Sequence, residues 1–134
     1  MSTRCNIIVK AKGLKITLYH HWDGYLEGVG QDLVNKVKDI FANDCFCSWT
    51  HIVNKLVKDR EDEGYEITTG LHGDIEYLYI IDTDKKTLKF QSVGYEKDGE
   101  DWKQTFSKKY DVVKELEKLH KEKEQKNADV LSQN

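Results

Sequence analysis

Two stretches near the N-terminus alternate so strictly that they admit one backbone conformation. Cys5, Ile7, Val9 and Ala11 recur at every second residue. After the pair Lys12-Gly13, Leu14, Ile16, Leu18 and His20 do the same. A period of two belongs to an extended strand, whose side chains leave on opposite faces. Two such runs about a glycine turn read as a β-hairpin. One hairpin face then carries Ile7, Val9, Leu14, Ile16 and Leu18, so the rest of the chain has to supply a layer that covers it.

The covering layer is legible in the helical spacing. Leu33, Val34, Val37, Ile40 and Phe41 form one amphipathic stripe, ending near Asn43-Asp44. Trp49, Ile52, Val53, Leu56 and Val57 form a second behind Ser48, a helix-capping residue type. Tyr65 to Thr69 reads as a short strand. Ile75 to Asp82 reads as the strongest one, with Ile75, Tyr77, Tyr79 and Ile81 on one face and Leu78 and Ile80 on the other. A run apolar on both sides is expected at the centre of a sheet. Thr87 to Val93 pairs back with Leu88 and Phe90 inward, and Lys97 to Asp101 reads as a polar loop. A last helix from Ser107 or Asp111 carries Tyr110, Val113, Leu116 and His120 on one stripe. The expected fold is α+β: an antiparallel sheet of about five strands in the order β-β-α-α-β-β-β-α, with helices on one face. The 134 residues suit one domain over 1–122, followed by a polar tail over 123–134 expected to fray.

Composition narrows the function classes. Lys and Arg number 21 against 24 Asp and Glu, a net charge of -3, which argues against a nucleic-acid partner. The longest apolar run, Tyr77 to Ile81, is far short of the roughly 20 residues of a membrane helix. The start Met1-Ser2-Thr3-Arg4 has no signal-peptide core, so a cytoplasmic location is expected. Three cysteines give no disulfide framework, and Cys45-Phe46-Cys47 with His51 falls short of a zinc set. No cofactor or metal is expected.

The most unusual segment is Tyr19-His20-His21-Trp22-Asp23-Gly24-Tyr25, followed by Glu27-Gly28-Val29-Gly30. Rings can stack on a base, and a helix N-terminus favours an anion. Tyr19, His21, Trp22, Asp23, Gly24, Tyr25, Gly28 and Gly30 are therefore candidate ligand contacts for a nucleotide-like anion. The same residues also suit a tight strand-to-helix connection in which the glycines permit close packing. His72-Gly73-Asp74 is the second candidate, although its first reading is a plain turn before the central strand. Should it share a sheet end with the Trp22 loop, His20 or His21, Asp23, His72 and Asp74 would converge as acid–base groups.

Three segments carry a family resemblance: Met1-Ser2-Thr3-Arg4-Cys5-Asn6-Ile7, Tyr19 to Tyr25 running into Gly28-Val29-Gly30-Gln31-Asp32-Leu33, and Gly73-Asp74-Ile75-Glu76-Tyr77-Leu78-Tyr79. Over roughly residues 1 to 82 the chain resembles a family of small proteins found in bacteriophages, prophages and bacterial genomes. Relatives often have proline after the D-G-Y, where this chain has Leu26, and this chain has no proline anywhere. The resemblance implies a mobile element in a bacterial cytosol, and a binding role against a nucleotide immune signal or a host protein. The expected function is thus a small phage-type binding protein that sequesters a nucleotide-like ligand at the Trp22–Gly30 loop. The alternatives are an inhibitor or adaptor that meets a host protein through its helices, and a His/Asp-dependent phosphodiester or nucleotide hydrolase. The unpartnered helix stripes also allow a homo-oligomer.

Overall fold

The computed structural model describes residues 3–42, 48–58 and 64–132, with side chains through Lys126. Asn43-Asp44, where the first helix is expected to end, Cys45-Phe46-Cys47, and the first two residues of the resemblance motif lie outside the described residues.

The hairpin forms as its alternation requires. β1 (Cys5–Ala11) pairs antiparallel with β2 (Leu14–His20), Ile7 opposite Leu18 and Val9 opposite Ile16. A π-helical turn (Leu26–Gly30) leads directly into α1 (Gln31–Ala42), and α2 (Ser48–Lys58) follows. β3 (Tyr65–Thr68) returns beside β2. The chain then crosses to the far side of β1 and forms β4 (Tyr77–Asp82) and β5 (Thr87–Asp98). β6 (Asp101–Phe106), the short β7 (Tyr110–Asp111) and α3 (Val112–Ser132) complete the order.

Among the described residues the sheet has seven strands, in the order β3-β2-β1-β4-β5-β6 with β7 also on β5. Two expectations are corrected here. The sheet is mixed rather than antiparallel, because the crossing after β3 sets β4 parallel to β1, with Ile7 opposite Tyr79. It is also larger than five strands. β5 continues to Asp98, and the segment read as a polar loop is the turn of a hairpin whose second arm is β6. Ile75 is corrected too. It precedes β4 and packs with Tyr19, Leu78 and Val93, on the side of the sheet opposite Tyr79.

The helices cover one face only. Cys5, Ile7, Val9, Leu18, Tyr79, Ile81, Leu88 and Phe90 meet Leu33, Val37, Ile52, Leu56, Val112 and Leu116 in the main core. Trp49 donates its indole N–H to the Val9 carbonyl at 2.9 Å, and Tyr65 donates to Asp32 of α1 at 2.6 Å, so both covering helices are pinned by polar contacts as well as by burial. α3 runs on to Ser132, and its Lys123 pairs with Glu27 of the π-turn. No helix among the described residues is long and apolar enough to cross a membrane.

Candidate ligand-binding site

The strand register sorts the candidate residues onto two sides of the sheet. Asn6 lies opposite Tyr19 on the face that the helices leave open, and Tyr19 lies opposite Glu66. The segment from β3 to β4 crosses this open face. It lays His72 flat on the Tyr19 ring, with centroids 3.8 Å apart and planes at 14°. Asn6 holds the crossing in place. This asparagine is fully buried, donates to the Leu18 carbonyl at 2.8 Å and accepts the His72 backbone N–H at 2.8 Å. Gln104 of β6 reaches the His72 carbonyl at 2.7 Å from the other side.

Around this junction the open face carries a row of rings. His21 meets the edge of Tyr19 at 4.5 Å, and Trp22 lies nearly parallel to His21 at 6.4 Å. Tyr19 donates its hydroxyl to Asp74 at 2.9 Å, and Arg4 stands 3.4 Å from the same carboxylate oxygen. Burial, reinforced by the bond to Asp74, pushes the Tyr19 hydroxyl up to about 12, so it remains a neutral donor. His21 pairs with Glu66 at 3.0 Å, and the His72 ring lies 3.0 Å from the Thr68 hydroxyl. Tyr19 is buried, but Trp22 is 43% exposed, and the side chains of Arg4 and His21 are each 44% exposed. A flat ligand can therefore reach the outer end of the row.

Of the candidate residues, Trp22 stands at the sheet's edge, its ring nearer His20 (5.1 Å) than His21 (6.4 Å), and Tyr19, His21, His72 and Asp74 share the open face. His20 does not. It follows the alternation onto the covered face, is 4% exposed, meets the carbonyl of Trp22 through Nδ1 and sets its ring against Tyr65. Asp23 stays within its own loop, where its carbonyl accepts from Val29 at 2.7 Å and its carboxylate from Tyr25 at 3.4 Å.

The glycine segment turns over the end of the sheet toward the helices. Gly24 donates to the Thr3 carbonyl at 2.9 Å, and its own carbonyl accepts from buried Tyr79 at 2.7 Å. A Cβ on Gly28 would come within 2.2 Å of the Asp23 carbonyl oxygen, and one on Gly24 within 2.9 Å of the Thr3 oxygen. These glycines are places of close backbone approach. The N–H groups of Gly28 and Gly30 point to the Tyr25 carbonyl at 3.0 and 3.4 Å. These two N–H groups of the helix start are thus already taken by a backbone acceptor. Burial also raises the Cys5 thiol and the Tyr79 phenol well above their usual ranges, as expected beneath this turn.

Among the described residues, no group of three or more His, Cys, Asp or Glu is placed to hold a metal ion. The site also includes residues that the sequence reading did not single out: Arg4, Asn6, Glu66, Thr68 and Gln104. Asn6 had a signal, since it is the one polar residue in the run Cys5 to Val9. Gln104 had none, because it is a polar residue in a stretch without a run of apolar neighbours. Comparison with family models, with curated proteins and with solved structures gives no match to this chain.

Proposed function

We propose that this protein is a small, non-catalytic binding protein for a nucleotide-like ligand, held at the open sheet face. The row Trp22, His21, Tyr19 and His72, flanked by Arg4, carries this reading. A purine-like ring is the natural occupant beside exposed Trp22 and His21, where stacking contributes about 1–3 kcal/mol per base. The Arg4 guanidinium has donors beyond the one facing Asp74, and these suit a phosphate. The seat shifts from the glycine loop to the ring row, because the N–H groups of Gly24, Gly28, Val29 and Gly30 already have backbone acceptors. In the phage setting that the resemblance implies, such a ligand is a host immune signal to be sequestered.

The hydrolase alternative, on His20 or His21 with Asp23, His72 and Asp74, has partial geometric support: His21, His72 and Asp74 gather around Tyr19, whereas His20 lies on the covered face and Asp23 stays within its own loop. The test is isothermal titration against a panel of cyclic and ADP-ribose-derived nucleotides. Saturable binding is expected, weakened about tenfold or more by Trp22→Ala or Arg4→Ala with the far-ultraviolet spectrum unchanged. If no nucleotide binds at high micromolar concentration, the reading fails. A host protein captured by both variants, but lost on charge reversal at Lys118 and Lys121, would favour the adaptor alternative.

A further inference from the structure

β6 ends the sheet. Among the described residues its only strand partner is β5, so one whole side of Asp101–Phe106 offers main-chain groups to a further strand. The ladder tells which groups these are. Ser107 donates its N–H to Ser92 across the β5 register, so the N–H and C=O of Phe106 point the other way, as do those of Gln104 and Trp102. The same residues form the open-face side of the strand. Trp102 is 67% exposed and Phe106 41%, beside Tyr95 at 37%. Edge strands are commonly blunted by charge or kinking. This one carries Asp101 and Lys103 on one face, and on the other two large aromatic rings alternating with an amide.

We infer that this edge pairs with the same edge of a second copy, antiparallel, with Gln104 opposite Gln104 across a two-fold axis perpendicular to the sheet. Symmetry restricts the choice, because an isologous antiparallel pair must set one residue against itself. Centring on Lys103 would oppose two ammonium groups. Centring on Gln104 sets Trp102 opposite Phe106 of the partner subunit, twice, and aromatic cross-strand pairs are among the stabilising ones. Extended past the strand, the same register sets Glu100 of the hairpin turn opposite Lys108 of the partner subunit, twice, so the charges flanking the strand are complementary. Trp102, Gln104 and Phe106 each then find main-chain partners. The open faces of the two copies come to lie on the same side of one continuous sheet. The inference stands on the edge and its register, independently of any ligand.

Sedimentation velocity on the full chain over a range of concentrations tests it. The expected result is a reversible monomer–dimer equilibrium. Trp102→Lys is expected to give monomer at every concentration, with an unchanged circular dichroism spectrum. Glu100→Lys is expected to weaken dimerisation by roughly fivefold, the scale of exposed ion pairs. Combining it with Lys108→Glu restores the affinity, because the pair is exchanged rather than lost. A chain that stays monomeric to several hundred micromolar overturns the inference. So does a dimer indifferent to Trp102→Lys, or a double variant no better than Glu100→Lys alone.

Discussion

The two faces of the sheet are made by the same strands, yet they are held by different physics. On the covered face nearly every side chain is apolar and meets a helix, and its few polar members serve internal contacts: Tyr79 with the Gly24 carbonyl, Tyr65 with Asp32, and His20 with Trp22. On the open face Ile75 of the crossing chain packs on Tyr19, Leu78 and Val93 in a small apolar cluster, and polar contacts around Asn6, Asp74 and Thr68 hold that chain down. The covered face stabilises by area removed from water. The open face positions groups, several of them half exposed, at modest energetic gain. A ligand surface belongs on the second kind of face, where rings are held in place without being sealed from solvent.

The contrast can be broken by substitution. Leu33→Ala on the covered face leaves a cavity in a site with no solvent access and is expected to cost about 3 kcal/mol. Ile80→Ala, on the open face and only partly buried, should cost about 1 kcal/mol or less. Equal losses in urea titrations of the two variants would remove the distinction. Asn6→Ala comes next, at about 2 kcal/mol, since it strands the Leu18 carbonyl and the His72 N–H. Its signature is faster amide exchange confined to the crossing over Leu71–Ile75, and uniform exchange would show that Asn6 is not the fastener. Tyr19→Phe is the smallest, about 1 kcal/mol for the hydrogen bond to Asp74. It carries a pH signature as well. The folded protein keeps the Tyr19 proton to about pH 12, whereas an exposed tyrosine loses it near 10. The contribution is therefore complete below about pH 10 and is lost as pH rises toward 12. Melting temperatures recorded across that window should converge for the parent and Tyr19→Phe chains.

Much of the fold was legible because local periodicity reports local geometry. The faces of β1 and β2 and the stripes of α1 and α2 follow from spacing alone. The long β5–β6 hairpin was not legible, because from Ser92 to Phe106 most residues on both faces are at least partly exposed and so carry no apolar alternation. At the candidate site, the opposite orientation of His20 and His21 was readable from the strand period. The joining of His72 and Asp74 to Tyr19 was not readable, since it depends on where a chain segment more than fifty residues away crosses the sheet.

The sequence by itself determined which side chains share a face. That follows from the two-residue and 3.6-residue repeats, which are properties of the backbone within a few residues. Only the tertiary structure decided which strands are neighbours, that β4 lies parallel to β1, and that the crossing between β3 and β4 passes over the open face. Strand order rests on main-chain hydrogen bonds that any residue can make and on the closure of long loops, neither of which leaves a pattern in the residues themselves.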